Sequence, residues 1–143
     1  MSTGPYVHEG TGSTQIAVLD DYQHVAFKYA DWSTIFSRAS IDFFDTTIQF
    51  SEIDDLVKRL QPYEVIVSMR ERTKFPRQVL ERLPKLKLLT TTAMRNASID
   101  LQAAVELGKV VVGTRYSGAG TAEHKCADLF SWFLRMITRT ESD

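Results

Sequence analysis

Apolar residues recur along this chain in short blocks, and the blocks are separated by stretches with helical spacing. Ile16-Ala17-Val18-Leu19, Ile41-Asp42-Phe43-Phe44-Asp45, Glu64-Val65-Ile66-Val67-Ser68, Leu86-Lys87-Leu88-Leu89-Thr90 and Lys109-Val110-Val111-Val112-Gly113 are short apolar runs bounded by polar or turn residues. Each reads as a buried strand. Between the first two, Val25, Ala26, Tyr29, Trp32 and Phe36 share one side of a helix over Tyr22 to Phe36. Ser51 to Gln61 places Ile53, Leu56, Val57 and Leu60 on one face, with Ser51 as cap and Pro62 as stop. Pro76 opens a short helix whose apolar side is Val79, Leu80 and Leu83, and Pro84 ends it. Ser98 caps a further helix through Leu107, and Gly108 supplies a left-handed exit.

Strands alternating with helices predict an α/β domain, a doubly wound parallel five-stranded sheet in the order 2-1-3-4-5. A right-handed crossover over residues 64–90 sends two loops from the carboxyl ends of neighbouring strands, where open α/β sheets bind ligands. Residues 1–15 are polar and glycine-bearing and read as a flexible N-terminal arm, with Tyr6 and Val7 able to dock. The α/β domain spans 16–113, and 114–143 forms a hinge-like loop and a C-terminal helix over 121–138. Cys126, Leu129, Phe130, Trp132, Phe133, Leu134, Met136 and Ile137 cover about 200° of that helix, more than one core-facing stripe needs. The excess predicts a second surface, from a homodimer partner or a further domain. Arg135 to Asp143 tapers from apolar to polar, the pattern of a natural terminus.

Charge narrows the chemistry. Residues 68–96 hold eight of the 17 Lys+Arg but two of the 18 Asp+Glu, so the rest of the chain is net negative. A local positive field in a near-neutral protein points to a small anion, a carboxylate or phosphate. Arg70, Arg72 and Arg95 lie in the two loops, whereas Arg77, Arg82, Lys85 and Lys87 read as a solvated face. The net charge of −1 argues against a general nucleic-acid binder. One cysteine excludes an internal disulfide and is compatible with a reducing, cytoplasmic location. Three histidines far apart in sequence give no metal-ligand spacing. No apolar run is long enough for a membrane helix, and residues 1–15 lack the pattern of a secretory signal.

Ala17-Val18-Leu19-Asp20-Asp21-Tyr22-Gln23, Ser68-Met69-Arg70-Glu71-Arg72-Thr73, Met94-Arg95-Asn96-Ala97-Ser98-Ile99-Asp100, Gly113-Thr114 and Gly120-Thr121-Ala122-Glu123-His124 occur in the order and spacing of a known group. Over about three quarters of its length the chain resembles the substrate-binding domain of the D-isomer-specific 2-hydroxyacid dehydrogenases, which include phosphoglycerate dehydrogenase. The resemblance implies a flavodoxin-like fold. It also implies that loops after the third and fourth strands hold the substrate's acid group through backbone N–H groups and arginines: Met69, Arg70, Glu71 and Arg72, then Thr92, Ala93, Met94, Arg95 and Asn96. Guanidinium forks suit two-point recognition of a carboxylate, and a helix opened by Ser98 would present free N–H groups to an anion.

Two departures define the expectations. Gly118-Ala119-Gly120 lacks the third glycine of a dinucleotide turn, and the family's catalytic Arg, Glu and His belong to a nucleotide-binding domain that these residues do not include. The resemblance therefore implies no cofactor, with NAD bound only if another chain supplies that domain. His24 and Ala93 also stand where relatives usually have glycine. Three readings follow. The first is a repurposed, cofactor-free enzyme acting on a small anionic or carbonyl acid by isomerisation, cyclisation or elimination. In it His24 is the general acid or base, Asp21 its orienting partner or a second acid/base, and the loop arginines are anion clamps. The second is a regulatory or degenerate domain that dimerises. The third is a fragment of an NAD-dependent dehydrogenase.

Overall fold

The computed structural model describes residues 4–26, 32–91 and 96–113. Among these, six strands form one sheet: β1 (Val7–Glu9), β2 (Thr14–Val18), β3 (Ala39–Phe43), β4 (Val65–Ser68), β5 (Leu88–Thr91) and β6 (Val110–Gly113). Their order is β1-β3-β2-β4-β5-β6. The pairings from β3 through β6 are parallel, with Ile16 between Ile41 and Val65 and Leu89 between Ile66 and Val111. The five expected strands therefore stand in the expected order 2-1-3-4-5, and the sheet is the doubly wound type read from the sequence.

The N-terminal segment differs from expectation. Part of the supposed arm is an antiparallel edge strand, with Val7 opposite Phe43 and Glu9 opposite Ile41. Gly10 and Gly12 make this possible by close approach. A Cβ on Gly12 would lie 1.7 Å from the carbonyl carbon of Arg38, so only glycine passes there.

Three α-helices lie among the described residues: α1 (Ile53–Leu60), α2 (Arg77–Leu80) and α3 (Leu101–Glu106). The α1 spacing holds, since Leu56, Val57 and Leu60 are buried and Ile53 packs beside them. Its start differs. A 3-10 turn over Phe50–Glu52 leads into it, and Ser51 makes no capping bond. Pro76 opens α2 as expected. For α3 the cap is Asp100, whose carboxylate accepts from the Ala103 N–H, and not Ser98. The reason is tertiary: Phe75 pairs with Ile99 in a parallel bridge, which holds Ile99 extended and delays the helix. Gly108 takes φ +71 at the exit. The helix expected over Tyr22 to Phe36 is not formed at its described ends: Tyr22 to Val25 turn, with His24 at φ +54, and Ser33–Ile35 is a short 3-10 turn. Its residues 27–31 lie outside the described residues, and so do the hinge-like loop and the helix expected over 121–138. No described helix is long and apolar enough to cross a membrane.

Alternating strand positions feed two cores. Ala17, Ile66 and Leu89 face α1, α2 and α3 with Phe44, Phe75, Leu80 and Leu83. Ile16, Val18, Ile41, Phe43, Val65 and Val67 face the other way, onto Trp32 and Ile35. Burying a side chain of this size is worth about 1.5–3 kcal/mol, so both faces of the sheet are held firmly. The Trp32 indole N–H donates to the Ala26 carbonyl at 3.0 Å, which satisfies its polar end.

Two buried hydroxyls, Ser68 Oγ and Thr90 Oγ1, have no hydrogen-bond partner among the described residues. Thr90 lies between Val67 and Val112 in the sheet. Replacing it with the near-isosteric valine removes an unsatisfied group that costs about 1–3 kcal/mol. Thr90→Val is expected to raise the urea midpoint at an unchanged slope; a lower midpoint would mean that the hydroxyl is satisfied.

Candidate functional site

Because β2, β4 and β5 run parallel, the loops that leave their carboxyl ends gather on one edge. The loop Met69–Thr73 follows β4 and meets residues 96–100, which lie beyond β5. Asn96 joins them. Its side-chain amide donates to the Arg70 carbonyl at 2.7 Å and to Thr91 Oγ1 at 3.0 Å, while its oxygen accepts the Ser98 N–H at 3.0 Å. Glu71 accepts the Ala97 N–H at 3.1 Å, and the Phe75 N–H donates to the Ser98 carbonyl at 2.7 Å. Arg70 takes φ +53, a left-handed conformation uncommon for a side chain of its size. Residues 69–75 and 96–100 thus form one platform.

At the end of β2, Asp20 and Asp21 are both almost fully buried, at 3% and 2% exposure. Asp20 takes φ +60, and its two carboxylate oxygens accept from Thr47 Oγ1 and Thr73 Oγ1, each at 2.6 Å. Burial holds its pKa above the ordinary aspartate value, against the opposing pull of the two hydroxyls and the Arg72 and Arg59 guanidiniums. Asp21 accepts the Tyr6 hydroxyl at 2.5 Å and the N–H groups of Val25 and Ala26 at 2.9 and 3.2 Å. Burial, then the Asp21 carboxylate, drives the Tyr6 hydroxyl pKa upward.

His24 stands beside this pair but does not use it as expected. Asp21 is not its orienting partner, because that carboxylate points inward and is fully engaged. Instead His24 Nε2 lies 2.8 Å from Asp45 Oδ2, at the end of the neighbouring strand β3. The imidazole also stacks on Tyr6, with centroids 3.9 Å apart and planes 12° from parallel. His24 takes φ +54 and is half exposed, so its ring is fixed on one face and open to solvent. The geometry is that of an oriented imidazole, with Asp45 and Tyr6 in roles the sequence reading missed.

The basic residues divide. Arg77 pairs with Glu106 and Glu81, Arg82 with Asp54, and Lys87 with Glu64, all at partly or fully exposed positions. These are the solvated-face residues expected, and exposed pairs of this kind contribute little. Arg72 instead lays its guanidinium over the Tyr22 ring, 3.9 Å from the centroid. Arg70 is exposed on the platform. Met69 is buried with the Trp32 core, and Asn96 spends its side chain on the platform itself. Thr92, Ala93, Met94 and Arg95 lie outside the described residues. A hollow of about 550 Å³ opens beside the platform, lined by Phe50, Glu71, Lys74, Pro76, Ala97, Ser98, Ile99 and Asp100. Neither Arg70 nor Arg72 lines it. The N–H groups offered by a helix at Ser98 are not available either, since α3 starts at Leu101 and Asp100 takes up its Ala103 N–H. Among the described residues no cluster of His, Cys, Asp and Glu is arranged to hold a metal ion.

Comparison with known proteins places this geometry. Residues 16–139 match the family model described as D-isomer specific 2-hydroxyacid dehydrogenase, catalytic domain. The putative D-3-phosphoglycerate dehydrogenase oxidoreductase of Ralstonia solanacearum is 38% identical, with a TM-score of 0.63 over 73% of this chain and 31% of its own. The phosphoglycerate oxidoreductase of Vibrio cholerae O395 is 30% identical, with a TM-score of 0.64 over 73% of this chain and 32% of its own. A putative 2-hydroxyacid dehydrogenase of Haemophilus influenzae is 30% identical over 95 residues, which is 66% of this chain and 30% of that protein. The chain thus spans about a third of the length of these relatives.

Asp20 gives the rim a pH dependence of definite sign. Its folded pKa is raised by burial, so the native state binds its proton more readily than the unfolded chain does. Its contribution to stability is present in full below the unfolded value and is lost as pH rises through the folded one. The stability difference between wild type and Asp20→Asn, measured by urea unfolding, is expected to shift in favour of wild type as pH falls from neutrality to the ordinary aspartate range. The opposite slope would mean that the threonines and arginines outweigh burial.

Proposed function

The chain belongs to the D-isomer specific 2-hydroxyacid dehydrogenase family, and from that premise we propose that it is a substrate-recognition domain for the acid end of a small 2-hydroxy or 2-oxo acid. The observation that carries this is the platform. Asn96 and Glu71 lock the two rim loops together, and the exposed Arg70 and Arg72 sit on the first of them. A guanidinium edge offers paired N–H donors that match both oxygens of a carboxylate. A rigid backbone beneath lowers the ordering cost of binding.

The described residues do not fit a dinucleotide. A pyrophosphate is held by glycine-rich turns and free N–H groups. The turn after β2 instead carries Asp20 and Asp21, two buried carboxylates without glycine beside them. Oxidation or reduction of the bound acid therefore calls for a nucleotide-binding part other than the described residues.

A second reading rests on His24. Its imidazole, oriented by Asp45 and Tyr6 at the same rim, suits acid–base chemistry without a cofactor. It would take a proton from the carbon next to the carbonyl of a 2-oxo acid and deliver it to the carbonyl oxygen to give the enol, and the reverse transfer would restore the keto form. Proton–deuterium exchange at that carbon, followed by NMR in D₂O, is expected to fall to the buffer rate in His24→Ala. Exchange by wild type at the buffer rate would dismiss this reading.

Recognition itself is tested by melting temperature. Pyruvate, glyoxylate, hydroxypyruvate and D-lactate are the probes, with propionate and chloride as controls. An acid present at a hundred times its Kd contributes about 2.7 kcal/mol of stability, roughly 5–10 °C in Tm for a domain of this size. Arg70→Ala/Arg72→Ala is expected to abolish the rise. If no acid stabilises the wild type, or if the double variant responds equally, the platform is not an acid site.

A further inference from the structure

We propose that Tyr22 is a positioning residue: its ring is the support that aims the Arg72 guanidinium at the bound acid. The inference rests on the acid-recognition reading and names the part of the rim that makes one of its arginines effective.

The starting point is an exposed aromatic. Tyr22 is 54% exposed, although it follows two almost fully buried residues. Its placement is set by them. Asp20 turns the chain at φ +60, and Asp21 anchors inward on Tyr6, Val25 and Ala26. The next side chain is left pointing outward. Arg72 reaches over from the β4 loop, its guanidinium carbon 3.9 Å from the ring centroid.

The geometry suits anion recognition because a guanidinium has two kinds of surface. Its face attracts the electron-rich face of an aromatic ring, and its edge carries the N–H donors. The contact with Tyr22 uses the face and not the N–H edge, so it does not itself compete with a carboxylate, although the buried Asp20 also acts on Arg72 electrostatically. Among the described residues no carboxylate forms an ion pair with Arg72. An exposed arginine without such support must give up much side-chain freedom on binding, and a ring that holds it beforehand reduces that loss.

The same two strands are tied a second time. Thr73, next to Arg72, donates to Asp20 at 2.6 Å and is itself buried. The base of the arginine is thus fixed by Asp20 and its tip by Tyr22, two positions apart on one turn.

The test compares Tyr22→Leu, Tyr22→Phe and wild type by two readouts. The first is calorimetric titration with pyruvate and hydroxypyruvate. Loss of a surface cation–π contact is expected to weaken binding roughly two- to five-fold in Tyr22→Leu, with wild-type affinity restored in Tyr22→Phe, which keeps the ring. The second needs no ligand. In wild type and Tyr22→Phe, the Arg72 side-chain protons should show an upfield ring-current shift in NMR, and the shift should vanish in Tyr22→Leu. Absence of that shift in wild type overturns the proposal whether or not an acid binds. Equal affinity of Tyr22→Leu and wild type also overturns it. If the ring-current shift is present but no acid binds the wild type, the acid-recognition reading fails and the positioning role fails with it, while the cation–π contact itself stands.

Discussion

Two adjacent carboxylates, buried side by side at the end of one strand, are the constraint from which the rim follows. A buried aspartate is tolerated only when donors surround it, because desolvating an unpaired charge costs several kcal/mol. Asp20 and Asp21 recruit those donors from everywhere nearby: Thr47 from the segment after β3, Thr73 from the loop after β4, Tyr6 from the residue before β1, and the N–H groups of Val25 and Ala26. Each donor fixes the segment that carries it. Four pieces of chain distant in sequence are thereby held at one place, and the exposed residues beside them, His24, Tyr22 and Arg72, take their positions from that arrangement.

The distribution of positive charge follows similar logic. The basic excess between residues 68 and 96 is not one field. On the helix side and at the sheet's far end it is spent on local acids, with Arg77 on Glu106, Arg82 on Asp54 and Lys87 on Glu64. At the rim the local acids are already committed: Glu71 accepts from Ala97, and Asp20 from two hydroxyls. Arg72 rests on an aromatic face instead of a carboxylate. On the proposed reading, an excess of cations in sequence becomes a recognition surface only where nearby anions are otherwise engaged.

Much of the architecture was legible because strand and helix periods are local. The five parallel blocks, the apolar stripe of α1, the proline start of α2 and the left-handed Gly108 all follow from short windows of sequence, whereas α2 ends at Leu80, short of the expected stop at Pro84. What was not legible depends on residues far apart. Gly10 and Gly12 look like a loose arm, yet Gly12 serves an approach to Arg38 that no window contains. Ser98 and Asp100 are equally good caps by residue type, and the pairing of Ile99 with Phe75 decides between them. The site shows the same division. The rim loops could be placed from strand order, but Asp21 was matched to His24 by nearness in sequence. Burial turned that carboxylate away, and Asp45 took the place. A signal for Asp45 did exist: β2 and β3 are parallel neighbours, so residues just past their ends, 20–24 and 44–47, had to meet.

On the proposed reading, acid recognition and nucleotide binding make opposite demands on this rim. Acid recognition asks for cations and N–H donors at a rim that stays fixed, and buried carboxylates just beneath it are compatible because they bind protein donors. A pyrophosphate asks for the reverse beneath it, a glycine turn and unengaged N–H groups close to the backbone. Asp20 and Asp21 would meet that dianion with like charge at the one place where this sheet's first parallel strand could approach it. The residues that make the rim rigid therefore make it unsuitable for a nucleotide. On the proposed reading, a hydride acceptor would meet the acid from beyond this sheet and not from the turn after β2.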